Sequence, residues 1–528
     1  MTAKARYDYL RSTRDNFLDD AIAASRLTLP YLVKQDDDNS SHKNFTTPWQ
    51  AVGAKGVVAL ASKLMLALVP VQSTFFKLQM DEREITEGKM DPAVKSEMDL
   101  AFAKMERTIM DSIAASDDRV AIHQAMKHLV ISGNALIFMG KERLKMFPLS
   151  RYVLDRDGMG NVSEIIAKER IAKAIVMEGL TDAQRQQLAP NEPANVDGND
   201  QIKNECDVYT HVKREGNKYT WHQEVYGKIL PKSRSMAPLE TTPWLPLRFN
   251  VVDNEAYGRG RVEEFMGDLK SLEALSQALV EGSAAAAKVV FTVSPSSTTK
   301  PATLASAGNG AIIQGRPDDI GVVQVGKTAD FSTAYQMAQT LEKRLSEAFL
   351  ILQVRDSERT TAEEVRMTQM ELEQQLGGLF SMLTVEFLVP YLNRKLSIAQ
   401  KTGEIPKLPK GMVKPTIVAG VNALGRGQDR QSLIEFMTTI AQTLGPEAMM
   451  QFINTDEVIK RLAASQGIDV LNLVKSQDEL QAEAQQQQQA EAQQSLVGQA
   501  AQLQRNEMEM MNDGADTQAQ TPQGQGGL

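Results

Sequence analysis

In the stretch TPWQAVGAKGVVALASKLMLAL, apolar residues return every third or fourth position, through Val52, Val57, Leu60, Leu64 and Leu68. That spacing predicts a strongly amphipathic helix, with Thr47 as its N-cap and Pro48 at its first helical position. An earlier helix is expected from Ala3 to Leu27, stopping before Pro30, with the polar linker KQDDDNSSHKN after it. Two more are expected near Pro92 to Ser116 and Arg119 to Ile131. After Gly133 the period shortens. NALIFMG and RLKMFPLSRYVLDRDGMGNVSEIIAKERI read as short strands, with Asp157-Gly158 at a hairpin tip, and DVYTHVKREGNKYTWHQEVYG alternates and turns at Gly216-Asn217.

From Arg261 the pattern is helical again. A compact insert, VVFTVSPSSTTKPATLASAGNGAIIQGRPDDIGVVQVGK, has strand-like ends and a turn-rich middle. A second long helix follows, with Asp330 or Ser332 as its cap, then the charged stretch RDSERTTAEE. A third helix is expected from Thr361 to Ala399, opened by a Thr361–Glu364 capping box. Gly377-Gly378 predict a kink in it, and Pro390 an end or second bend. The segment from Gln428 to Ser476 is helical in pattern. Beyond it the composition falls to Gln, Ala and acidic residues, so the last third of that tail is expected to be disordered, with a helical start before it. The fold class is α+β and predominantly helical.

At 528 residues the chain can form several domains or one elongated subunit. Hydrophobic residues make up 42% of it, with 25 Met and only 5% aromatics, which suits aliphatic and thioether contacts between helices. Cys206 is the one cysteine, so a disulfide framework and a thiolate metal cluster are excluded. A net charge of −9 argues against a module that wraps DNA, though not against one that lets DNA slide past. The longest apolar stretch, Gly56 to Val71, is short for a membrane span and carries Lys63, so it reads as a buried helix. MTAKARYDYLRSTRD has charges where a signal peptide would be apolar.

Candidate chemistry is sparse. GVVQVGKT, Gly321 to Thr328, matches the phosphate-loop pattern letter for letter. Such a loop needs a strand running into its first Gly, inward-pointing amides and a helix opening at the Lys-Thr end. Here GRPDDI precedes it, and Val322, Val323 and Val325 favour extended backbone. The octet therefore reads as a strand of the insert, including Lys327. His123 and His128 fall on different faces of a helix, and His42, His211 and His222 read as scattered, so no metal site is expected. Glu263-Glu264 and Glu363-Glu364 stand at helix starts, where the macrodipole accounts for them. No catalytic constellation and no cofactor site emerge.

The stretches TPWQAVGAKGVVALASKLMLALVPVQ, YGRGRVEEFMGDLKSLEAL, GRPDDIGVVQVGKTADF, RTTAEEVRMTQMELEQQLGGLFSML and GRGQDR are more specific than any one motif. On them the chain resembles the portal proteins, or head-to-tail connectors, of short-tailed bacteriophages, over nearly its whole length except the Gln-rich tail. The resemblance implies a dodecameric ring at one capsid vertex, with a central channel for double-stranded DNA. It implies a wing region at 1–260, a first stem helix at 261–288 and a clip at 289–327. A second stem helix at 328–354, a channel loop at 355–360, and a kinked wing helix with its following segment at 361–427 come next. A helical crown at 428–476 and the tail at 477–528 complete it. The clip, with Ser296, Lys300, Arg316, Asp318 and Asp319, is expected to meet the terminase motor and later the tail adaptor. Implied partners are further copies of the chain, the major capsid and scaffolding proteins and internal core proteins, with no membrane. The expected place is the virion's head-tail junction, after assembly in the bacterial cytoplasm, and no enzymatic activity is implied.

A channel must pass DNA without gripping it, since each fixed phosphate–cation contact adds binding through counterion release. Twelve chains would carry about −108 formal charges, which discourages non-specific adhesion. Arg355 and Arg359 are the candidates for sparse guiding cations, unless they pair with Asp356, Glu358 or a neighbour. Two alternatives stay open: a helical scaffold or internal virion protein without a closed ring, and a P-loop motor.

Overall fold

The structure is a computed structural model. It describes residues 1–35, 45–70, 75–80, 92–178, 180–188, 205–286, 290–308, 310–316, 318, 320–323, 328–351, 378–406, 413–417, 436–443 and 458. The chain divides into two units, 1–424 and 425–528. In the second, residues 436–443 are helical.

The first unit opens with helix α1 (Ala3–Arg26), α2 (Val52–Leu68), strand β1 (Phe76–Met80), α3 (Pro92–Ala115) and α4 (Asp118–Ser132). Thr2 caps α1 by accepting the Ala5 amide at 3.3 Å. The apolar stripe of α2 is the heart of the main core: Val52, Val57, Leu60, Leu64 and Leu68 are all buried. Its start differs from the expectation. The helix opens at Val52, not at Pro48 after a Thr47 cap. Glu273 is the reason: its carboxylate accepts the Trp49 amide at 2.9 Å and the Gln50 amide at 3.2 Å. Gln50 in turn accepts the Gly53 amide at 2.8 Å, serving one of the donors that a helix start leaves open.

Strands β2 (Asn134–Met139), β3 (Leu144–Phe147), β4 (Tyr152–Arg156) and β5 (Val162–Ala172) follow. Two short helices, α5 (Lys173–Met177) and α6 (Asp182–Leu188), come before β6 (Glu205–Glu215), β7 (Lys218–Val225), β8 (Lys228–Ile229), β9 (Ser235–Pro238) and β10 (Trp244–Arg248). A six-stranded sheet runs β4-β5-β6-β7-β8 with β9 also on β7, and a three-stranded one runs β10-β2-β3. Both expected hairpins form. The first closes by a hydrogen bond from the Asp157 amide to the Asn161 carbonyl at 2.9 Å. The second is a two-residue turn with Glu215 opposite Lys218 and Gly216 at φ +61°. Trp244 packs on Phe138 and Phe147 within the three-stranded sheet, at 4.4 and 6.2 Å between ring centroids, and meets Trp221 of the six-stranded sheet edge-on at 6.5 Å.

The remaining described elements are α7 (Arg261–Glu264), α8 (Met266–Ala286), β11 (Val290–Val293), α9 (Pro301–Ser306), β12 (Ile320–Val323), α10 (Thr328–Ala348), α11 (Val389–Thr402) and β13 (Val413–Ile417), which pairs with β1. The helix expected at 261–288 is broken at Phe265, whose φ −110° and ψ 17° leave the helical region. Its ring lies between the Arg261 guanidinium, 4.9 Å away, and the Phe349 ring, 6.1 Å away. The next helix opens at Thr328, earlier than the Asp330 or Ser332 caps, and ends at Ala348, short of Val354. Donors from elsewhere fix that end. Arg261 gives two hydrogen bonds to the Ala348 carbonyl, Lys63 donates to the Leu350 carbonyl, and Leu350 sits at φ +57°.

Residues 378–383 are helical and pass into a π-turn at Thr384–Leu388, then into α11. The distortion thus lies just before Pro390, which cannot donate to the Glu386 carbonyl; the wider turn absorbs the missing bond. The helix runs on to Thr402 rather than Ala399, and Gly403 at φ +83° stops it. Gly378 is helical; Gly377, Thr361 and Glu364 lie outside the described residues.

Candidate functional site

The pair α8 and α10, with the insert between them, is set on a densely bonded base. Each helix has 21 residues, a length of about 32 Å. Only the base end is buried, through Leu269 and Leu272 on α8 and Leu345, Ser346 and Phe349 at the end of α10. Arg344 and Asp268 bridge the two at 2.8 Å. Helix α2 closes on the base because Gly56 has no side chain: a Cβ there would lie 2.6 Å from Phe349 Cγ. The segment before α7 supplies the other side. Tyr257 accepts the Leu154 amide at 3.0 Å, and the Gly258 amide donates to Asn134 Oδ1 at 2.8 Å. Arg259 reaches Glu255 at 2.6 Å and Glu263 at 2.7 Å, and stacks 4.8 Å from the Phe17 ring.

Farther from the base the pair stands largely in solvent. Val280, Tyr335 and Met337 are each more than half exposed. The two helices touch there at Gly282, where a Cβ would come within 2.4 Å of Phe331. In the insert, β11 and β12 pair antiparallel with Thr292 opposite Gly321 and Phe291 opposite Val322. The first residues of the GVVQVGKT octet are therefore ladder residues, not an open phosphate cradle. A helix does open at Thr328, so one requirement of a phosphate loop is met, while Gln324 to Lys327 lie outside the described residues.

The family model described as bacteriophage head to tail connecting protein matches residues 1–472. The chain belongs to that family. It is 36% identical to the portal protein of Escherichia phage T7 over 494 residues, covering 92% of this chain and 90% of the relative. It is 37% identical to the portal protein of Enterobacteria phage T3 over 489 residues, covering 91% and 89%. Among solved structures, a chain from the neck of an empty GTA particle aligns at a TM-score of 0.41 and 11% identity, covering 80% of this chain and 90% of that one.

In this head-to-tail connecting protein, Ser296, Lys300, Arg316 and Asp318 are all exposed on the insert. Lys300 is the N-cap of α9 and Pro301 its first residue. The insert's middle therefore holds one helical turn and a half where only turns were expected. Thr299 and Gly315 are in such close approach that no Cβ fits on Gly315, so the segments bearing Lys300 and Arg316 leave one point together. Asp319, Arg355 and Arg359 lie outside the described residues. Lys63, the charge inside the apolar stretch, serves the base, and among the described residues no helix is long and apolar enough to cross a membrane.

The histidines need a correction. His211 and His222 are not scattered but Cα partners across β6 and β7, with ring centroids 5.4 Å apart. Both stand five residues out from the Gly216-Asn217 turn, so the hairpin reading already contained their pairing. Glu224, two positions from His222 and on the same face, receives the Ala3 amide at 2.6 Å and lies 3.0 Å from His222 Nε2. Glu164 meets His211 Nε2 and also accepts from Arg6 at 2.7 Å. Burial alone would raise the Glu164 carboxyl, but the hydrogen bonds from His211 and Arg6 overcome it and hold the group down at about 2. His123 lies 3.2 Å from Ser62 Oγ, and His128 is buried; His42 lies outside the described residues.

Proposed function

We propose that this chain is the portal subunit of a tailed phage. Identical copies join side to side into a closed ring, a dodecamer, whose channel carries double-stranded DNA during packaging, retention and ejection. The ring works without enzymatic activity of its own and connects the capsid to the tail. A separate terminase supplies the power and docks on the insert at Ser296, Lys300, Arg316, Asp318 and Asp319; the tail adaptor takes the same surface later. Capsid, scaffolding and internal core proteins meet the rest of the ring, which forms in the host cytoplasm and ends in the virion.

The match to the connector family over residues 1–472 carries this reading. The helix pair adds physical support. A stem that stood alone would hide its apolar residues between its two helices, yet Val280, Tyr335 and Met337 face outward beyond the base. Such residues suit heterologous contact with the next copy, and contacts of that kind close into rings. The charge of −9 per chain agrees with a lining that lets DNA slide.

Negative-stain microscopy together with native mass measurement of the purified protein tests it. Rings with a through-going pore are the expected result. A chain that stays monomeric when concentrated with capsid and scaffolding proteins, or forms open-ended assemblies, would return the protein to the scaffold or internal-virion class.

A further inference from the structure

His211, His222 and Glu224 point one nitrogen or oxygen each toward a common place, and these three atoms lie within 4.8 Å of one another. Two imidazoles and one carboxylate form a donor set well suited to zinc and its neighbours in the first transition row. The ligand atoms of a tetrahedral zinc site stand about 3.4 Å apart for bonds near 2.1 Å, so small side-chain rotations close the set.

The surroundings are those of a held site. The His211 and Glu224 side chains are 7% and 10% exposed, while His222 at 25% leaves a solvent route. Glu164 sits against His211 Nε2, so it orients that ring and leaves Nδ1 as the lone-pair nitrogen. Arg6 holds Glu164 in turn through Nε at 2.7 Å and reaches Asp155 at 3.5 Å. Glu224 splits its work: Oε2 takes the Ala3 amide at the start of α1, and Oε1 faces His222.

We propose that His211, His222 and Glu224 bind a divalent transition-metal ion, with Glu164 as the outer partner that positions His211 and a water as the remaining ligand. On binding, the metal replaces the contact between His222 and Glu224 Oε1, and the His222 ring carries its N–H on the nitrogen that does not face the ion. The ion sits beneath the first turn of α1, where Ala3, Tyr7 and Leu10 pack on Val153, Ile166 and Tyr209 of the sheet. It therefore staples the N-terminal helix to the six-stranded sheet. Its role is structural.

The test uses the untagged full-length protein, stripped with chelator and titrated with Co²⁺ and Zn²⁺ at neutral pH. We expect one Co²⁺ per chain with the strong visible bands of a four-coordinate N/O site, displaced by Zn²⁺, and a higher melting temperature with Zn²⁺. His222→Gln removes the bands and the thermal gain, while His123→Gln, on α4, keeps both. Glu164→Gln weakens Co²⁺ about 10- to 100-fold while keeping the band shape. Wild-type protein that shows no visible bands, or bands unchanged by His222→Gln, overturns the proposal. Should His222→Gln fail to fold, the wild-type titration and the Glu164→Gln shift still decide it.

Discussion

Arg248, the last residue of β10, and Glu386, inside the π-turn, form a nearly buried double contact: Arg248 Nη2 lies 2.6 Å and Nε 3.0 Å from Glu386 Oε1, and the Arg248 amide donates to Oε2 at 2.9 Å. Arg156 stands close by, its guanidinium pulled down first by burial and then by the charge of Arg248, with Glu386 opposing. One carboxylate thus offsets two arginines between a strand and the distorted helix. Glu386→Ala leaves a buried, unbalanced Arg248 and should cost about 3–5 kcal/mol. Glu386→Gln, which keeps an acceptor, should cost less. Urea unfolding of the three proteins checks the order; equal midpoints would show that the π-turn holds without this pair.

The Gly282–Phe331 contact yields a second expectation. A methyl at 282 must push the Phe331 ring aside, because its Cβ would stand 2.4 Å from Cε1. The ring is the movable end of a side chain, so Gly282→Ala should cost about 1–3 kcal/mol. Gly282→Leu should splay the outer half of the helix pair. Limited proteolysis of the helix pair reports the splaying, and Gly282→Ala combined with Phe331→Leu should recover most of the loss. Identical digestion of wild type and Gly282→Leu would mean that the two helices are held from outside at this point.

Much of this was legible in the sequence wherever a repeat carried the information. The stripe of α2 and the alternation of β6 and β7 are local patterns, and both appear in place. Helix ends were less legible because distant groups set them. Glu273 moves the start of α2 from Pro48 to Val52, and Arg261 and Lys63 stop α10 near Ala348. No local cap signal encodes a carboxylate more than two hundred residues away. The base of the helix pair drew attention only as family-like stretches, YGRGR and AVGAKG. Its reasons, a Phe349 ring against Gly56 and an Asn134 side chain on Gly258, exist only after folding. The His211–His222 pair is the opposite case: the hairpin turn at Gly216-Asn217 implied it, and counting outward from the turn would have found it.

For the octet, the strand reading expects Lys327→Ala to leave nucleotide binding unchanged. Gly321 to Val323 pair with Thr292 to Val290 in an antiparallel ladder, which favours the strand reading of the octet's opening residues. Equilibrium binding of a labelled ATP analogue to purified wild-type protein decides the matter. Saturable binding that Lys327→Ala abolishes would restore the motor reading.

His128 makes stability depend on pH. It is buried on α4 with no hydrogen-bond partner for Nδ1 among the described residues, and burial pulls its pKa down from the ordinary 6.5 to about 4. The unfolded chain therefore binds a proton at higher pH than the folded one. Stability from this group is complete above about pH 6.5 and falls as the pH drops toward 4, by on the order of 3 kcal/mol across the window. His128→Met, of similar bulk and without a titrating group, should flatten that part of the profile. Melting temperatures of both proteins from pH 7 to pH 4 give the comparison. Parallel curves would assign the acid sensitivity to other groups.

Arg355 and Arg359 are the last expectation. They come seven and eleven residues after the end of α10 at Ala348, and in the proposed ring each would recur once per copy as a charged annulus facing the channel. Few cations suffice to centre a duplex, and many would hold it, because every phosphate contact strengthens binding and steepens its salt dependence. In the proposed ring, such an annulus would be set in subunits of net charge −9 each. Arg355→Ala with Arg359→Ala should therefore leave ring assembly and melting temperature unchanged while lowering the yield of DNA-filled heads. If instead these arginines pair with Asp356 or Glu358, the double variant alters stability and leaves packaging intact. Counting filled and empty heads by microscopy, beside the native mass of the variant, separates the outcomes: a normal proportion of filled heads from intact rings removes these two residues from the channel.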